Sequence, residues 1–182
     1  MIHQAAEMMV VDRFGERTWR EICKRAGVTS EFFIGFDYYP DELTMALLQS
    51  ITEHLEASLE EVLFEFGSYW VKYAKASAYG RAMDMAGDNL TEFFQQLDRM
   101  HSAITSNLPK SDMPSFSVAN VSPGGFELRY RSSRHGLQPF VHGLIIAIAR
   151  SFGEIVEVSY ETLHCGADMT VRRTGVAKNA EP

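Results

Sequence analysis

Two cysteines, Cys23 and Cys165, are too few and too far apart to suggest a disulfide framework. No apolar run approaches the roughly 18 residues of a membrane span. The opening stretch MIHQAAEMMVVDRFG has neither a basic region nor a small-residue cleavage site. The expected setting is cytoplasmic, with no membrane insertion. Positive charge is scarce too: 17 Lys and Arg stand against 24 Asp and Glu, a net charge of −7, and no basic stripe is present to replace phosphate counterions. The charge balance therefore argues against nucleic acid as the main partner. Repeats and low-complexity linkers are absent, so the 182 residues read as one domain over 1–173, with the small, polar 174–182 as a disordered tail. What is plentiful is apolar surface: 46% hydrophobic and 12% aromatic residues, with twelve Phe and nine Met, suffice to line an internal cavity as well as fill a core.

The first half has helical periodicity. Residues 3–14 predict a helix ending near Gly15, and Thr18 with Glu21 forms a capping-box signature opening a second, TWREICKRAG, that Gly27 ends. A third runs from Pro40 and Asp41 to about Leu55. Ser58 and Glu61 cap a fourth, LEEVLFEFGSYWVKYAKA, whose nearly all-round apolar character marks it as buried. A short helical piece near 82–85 leads to the stretch from Asn89 to Pro109. There Asn89 and Glu92 are the start signal and Pro109 the stop, and Phe93, Phe94, Leu97, Met100, Ile104 and Leu108 recur at helical spacing.

Beyond Pro109 the period changes to two. Phe116, Val118 and Val121 lead to the turn Ser122-Pro123-Gly124-Gly125, and Phe126, Leu128 and Tyr130 return from it as a hairpin. A helix, LQPFVHGLIIAIARSF, lies between Gly136 and Gly153. Val156, Val158 and Tyr160 predict a third strand, and Met169 and Val171 a fourth after the turn at 165–168. The fold class is α+β: an N-terminal helical part, then a four-stranded antiparallel sheet with an inserted helix.

Two groupings carry chemistry. His101 falls on the apolar stripe of its helix, where a neutral imidazole is either a core histidine bonded to backbone or an axial metal ligand. Tyr130, Ser132 and Arg134 are spaced by two, so in an extended segment they leave one face with two hydroxyls and a guanidinium. Such a set suits a pair of carboxylates or a phosphate, unless it is a solvated strand end.

Together these residues resemble the H-NOX family, the haem domain of soluble guanylate cyclase and of bacterial stand-alone gas sensors. The likeness rests on His101, Pro114 in MPSF, Tyr-x-Ser-x-Arg at 130–134 and the following Gly143-Leu144, with further family-like stretches GERTWREI (15–22), FEFGSYWV (64–71) and FFQQLDRMH (93–101). The resemblance implies haem b (iron protoporphyrin IX) held between the helical part and the sheet. His101 would be the proximal ligand to iron, Tyr130, Ser132 and Arg134 the holders of the propionates, and Pro114 the ring that presses on the porphyrin.

On the distal side the resemblance places Trp70, Phe140, Leu144 and Ile2. Relatives that hold oxygen have a tyrosine where Phe140 stands, so the expected gas is nitric oxide, with carbon monoxide as a second ligand. Trp70 is read as a steric wall, because a buried indole usually has a fixed partner in the protein. His164 and Cys165 alone do not make a tetrahedral site, so no zinc is expected. The chain would be no enzyme; it would signal by release of His101 to a separate histidine kinase or diguanylate cyclase/phosphodiesterase. The rival reading is a haem-free small-molecule-binding or scaffold domain of similar fold.

Overall fold

A computed structural model describes residues 2–28, 40–107 and 113–176. Its elements are α1 (Ile2–Ala26), α2 (Asp41–Leu55), α3 (Leu59–Ala76), α4 (Gly80–Asp84), α5 (Leu90–Asn107), β1 (Ser115–Ser122), β2 (Gly125–Arg131), α6 (Gln138–Ser151), β3 (Glu154–Leu163) and β4 (Gly166–Val176). The four strands form one antiparallel sheet in the order β1-β2-β4-β3, as the α+β reading expects. The expected stop at Pro109 and residues 177–182 lie outside the described residues.

Local signals succeed where the chain is regular. Ser58 and Glu61 make the full reciprocal capping box of α3. At α5, Asn89 Oδ1 accepts from Glu92 N (3.0 Å), but Glu92 reaches back to Asp88 N (2.9 Å), so the box closes one residue earlier than expected. The two expected N-terminal helices are both present as the two halves of α1, separated at Gly15, whose φ of 84° and ψ of 164° break the helical path. Thr18 caps nothing there, because its hydroxyl donates back across the bend to Phe14 O (3.0 Å) while Glu21 pairs with Arg17 (3.1 Å). The fourth strand starts at Gly166, inside the expected turn. It runs to Val176, three residues into the expected tail, because Arg173, Gly175 and Val176 still find partners along the start of β3.

Two apolar cores result. One joins α5, α6 and the inner face of the sheet through Phe94, Leu128, Tyr130, Ile145, Met169 and Val171; the other joins α1, α2 and α3 through Val10, Trp19, Ile22, Leu47, Ile51 and Phe66. Trp70 and Phe140, half-buried, pack against both. What lets α3 and α6 bring them together is a reciprocal glycine contact. A Cβ on Gly67 would collide with the carbonyl oxygen of Phe140, and one on Gly143 with the carbonyl oxygen of Phe64. Ser68 Oγ adds a hydrogen bond to Gly143 O (3.2 Å). Because backbone meets backbone here, no side-chain rotamer can relieve an added methyl.

Gly143→Ala should therefore lower stability by about 1–3 kcal/mol, read as a lower urea midpoint. Gly124→Ala is the control, since only Ser122 Oγ lies near its Cβ, at 3.8 Å. Equal midpoints for the two variants would show that the helices do not depend on this contact.

Candidate functional site: a histidine, a carbonyl and an unpaired indole

His101 lies near the middle of α5, half-buried, with its ring 5.8 Å from that of Phe116. Its Nδ1 is 2.8 Å from the carbonyl oxygen of Pro114, in the segment entering β1. A carbonyl can only accept, so Nδ1 carries the proton and the lone pair of the neutral ring is on Nε2. Burial lowers the pKa of His101, opposed by the Pro114 bond and the charge of Asp98, and this keeps the ring neutral at pH 7. Such an imidazole is a competent metal ligand, oriented by a hydrogen bond from its other nitrogen.

A second bond fixes that carbonyl. Asp98, one turn before His101, accepts from the backbone N–H of Phe116 at 2.6 Å. Together the two bonds stitch α5 to residues 114–116. Sequence reasoning missed Asp98, although its i−3 spacing from His101 puts the two on one helix face. What could not be read was that a strand would present an N–H to it.

The Tyr130 group assembles differently from the expectation. Tyr130 is 1% exposed, its ring stacked on Phe116 at 5.4 Å and 29°, so Phe116 lies between it and the histidine. β2 ends at Arg131, and the extended spacing that was to align Ser132 and Arg134 stops there. A turn does the work instead: Arg134 N donates to Ser132 Oγ (3.1 Å), and Ser132 N to Cys165 O (3.1 Å). Burial raises the pKa of Tyr130, while a hydrogen bond with Ser132 and the positive charge of Arg134 pull it down, so the three polar ends are neighbours. Buried Gln138, also missed, braces the loop through Gly166 O (3.0 Å).

On the boundary between the cores, Phe140 tilts against Phe66 at 5.3 Å and Leu144 packs on the sheet-side core. Ile2 is 40% exposed at the start of α1. Trp70 lacks the fixed partner on which the steric-wall expectation rested. Its Nε1 is shut off from solvent and, among the described residues, is the buried side-chain nitrogen or oxygen that has no hydrogen-bond partner. A buried donor left so costs about 1–3 kcal/mol unless something meets it. No group of three or more His, Cys, Asp or Glu among the described residues could hold a metal ion by itself.

The fold is an α+β domain in which a helical core and a sheet-side core meet at Trp70 and Phe140, and in which α5 carries a histidine oriented by a backbone carbonyl. The chain belongs to the haem-NO-binding (HNOB, or H-NOX) family, which it matches over residues 1–160. It is 38% identical over 117 residues to the rat (Rattus norvegicus) guanylate cyclase soluble subunit beta-2, covering 64% of this chain and 17% of that protein. It is 24% identical over 152 residues to the Drosophila melanogaster soluble guanylate cyclase 89Da, covering 84% of this chain and 23% of that one. The chain thus spans less than a quarter of the length of these relatives. The H-NOX protein of S. oneidensis, solved in its Fe(II)NO state, superposes with a TM-score of 0.84 at 17% identity over 96% of this chain and 98% of that one. The unliganded Fe(II) H-NOX protein of K. algicida gives 0.82 at 17% identity over 99% of this chain and 97% of that one. No described helix is long and apolar enough to cross a membrane.

Asp98→Ala should cost about 1–2 kcal/mol and speed exchange of the Phe116 amide proton, measured by NMR. An amide as protected as in the parent protein would mean that the carboxylate does not hold the segment.

Proposed function

We propose that the chain is a haem-based nitric oxide sensor in which residues 1–173, together with the end of β4, form one haem-binding unit. The observation that carries this reading is the proton on His101 Nδ1, held by Pro114 O, which leaves Nε2 as the ligating nitrogen. His101 would hold haem b through Nε2, and the haem would supply a ferrous iron able to bind nitric oxide or carbon monoxide. The orphaned Trp70 N–H and the boundary between two cores support the fit of a flat aromatic group.

Each side chain then has a task. The Tyr130 and Ser132 hydroxyls and the Arg134 cation meet two propionates, whose charge needs compensation in a half-buried site. The Pro114 ring presses on the macrocycle with a fixed φ that does not have to reorder. Phe140, Leu144 and Ile2 present hydrocarbon on the gas side. Bound oxygen gathers negative charge and gains from a donor, whereas bound nitric oxide is nearly neutral, so Phe140 in place of a hydroxyl favours nitric oxide. His101 would be the residue whose release frees α5, and nitric oxide would shift the protein only by favouring that released state. The effector is a separate protein, a histidine kinase or a diguanylate cyclase/phosphodiesterase, a choice supported by the family resemblance alone. A second reading, oxygen binding, is favoured by one observation, the unpaired Trp70 N–H.

Haem-supplemented expression should give a red protein whose Soret band shifts with nitric oxide and whose ferrous form makes no stable complex in air; a lasting oxygen complex would favour the second reading. His101→Gly should lose haem unless imidazole is supplied, and unchanged retention would mean that the ligand is another residue. Trp70→Phe separates the two gases further. If its N–H is idle toward nitric oxide, dissociation changes less than the roughly fivefold that a lost bond of about 1 kcal/mol brings. A larger acceleration would make Trp70 a donor to the gas.

A further inference from the structure

Away from the histidine, α5 ends in a charged cluster with no part in the function just described. Arg173, near the end of β4, donates from Nε to Glu154 Oε2 (2.6 Å), from Nη2 to Thr91 Oγ1 (2.6 Å) and from Nη1 to Ser122 O (3.1 Å). Its backbone N–H donates to Gly124 O (2.8 Å), and its guanidinium carbon is 6.0 Å from the centroid of the Phe126 ring. The other oxygen of Glu154 accepts the N–H of Leu90, the first residue of α5, at 3.0 Å. One ion pair thus joins β3, β4, the hairpin turn and the first turn of the helix. A carboxylate on a helix N-terminus is favourable in its own right.

We infer that Arg173 and Glu154 are positioning residues that pin the N-terminal end of the His101 helix, so that α5 moves as a lever about Leu90 and Thr91. The inference rests on the sensor reading above. Leu90 is 0% and Thr91 7% exposed, while Ser102, Ala103 and Ser106 at the other end are exposed. Sliding the helix would break the bonds to both Leu90 and Thr91; tilting it about them need break neither. From Thr91 to His101 the axis rises roughly 15 Å, so a tilt of about 10° swings the imidazole by roughly 2–3 Å. That displacement is enough to separate a ligand from a metal. Pinning also has a static effect: it keeps the imidazole in one place and so raises its effective concentration at the position it serves.

The test uses the full chain with haem and compares Arg173→Leu, Arg173→Lys and Thr91→Val with Ser58→Ala. The last variant removes the cap of α3 and leaves α5 untouched, which matches a loss of stability without loosening the helix. Release of His101 on adding nitric oxide, followed by the Soret band, should be at least about threefold faster in Arg173→Leu. Arg173→Lys, which retains the charge but not the three-way fork, should fall between. If Arg173→Leu fails to fold, Thr91→Val, which deletes a single hydroxyl contact, should still accelerate release. Release at the parent rate in the folded variants, or an equal acceleration in Ser58→Ala, would overturn the inference. Amide exchange on the same proteins is a readout that needs no haem. Faster exchange along α5 as far as His101 supports a pinned lever, and faster exchange confined to residues 90–92 overturns it. A parent protein that takes up no haem, yet shows the long-range exchange effect, would sink the sensor reading while leaving the pinned helix standing.

Discussion

The hydrogen bond between His101 Nδ1 and the carbonyl of Pro114 is the interaction on which the site depends. It decides a tautomer, and through the tautomer it decides which ring nitrogen has a lone pair. The carbonyl is not an independent partner, because the backbone two residues on is held by Asp98 of the same helix. Histidine and carbonyl are therefore fixed relative to each other by α5 itself, and the sheet supplies only the segment that is gripped. Burial of the ring, which lowers its pKa, works in the same direction by penalising the imidazolium.

The second constraint is steric and lies between α3 and α6. Gly67 and Gly143 let each helix bring a carbonyl against the other, and Trp70 of α3 and Phe140 of α6 each pack against both cores. A helix pair packed through larger residues would stand roughly 8–10 Å apart and fill that boundary with ordinary core. On that boundary the indole nitrogen of Trp70 is buried without a hydrogen-bond partner among the described residues. A core selected only for stability would pair it or replace the tryptophan, since a buried donor without an acceptor is penalised. The penalty is tolerable where another molecule completes the site.

How much could be read beforehand depended on the distance over which each signal acts. Ser58 with Glu61 and the hairpin at Pro123-Gly124 were legible because the partners are a few residues apart and the chain between them is regular. The Thr18 signature misled for a local reason: the bend at Gly15 leaves the Phe14 carbonyl within reach, and the hydroxyl takes that acceptor instead. The spacing of Tyr130, Ser132 and Arg134 pointed to residues that do come together, but by a different geometry. The strand ends at Arg131 and a turn gathers them. Asp98, Gln138 and the glycine contact were illegible because each acts on backbone from another element, and a backbone group has no letter in the sequence.

The two ends of α5 are held by different kinds of contact, and the contrast has a mechanical meaning. Near His101 the links to the sheet are single hydrogen bonds to one short segment. At Leu90 and Thr91 the link is an ion pair whose guanidinium is committed to three elements at once, so no one bond can be exchanged for water without straining the others. In the pinned-helix proposal, a force applied at the histidine is taken up at Leu90 and Thr91.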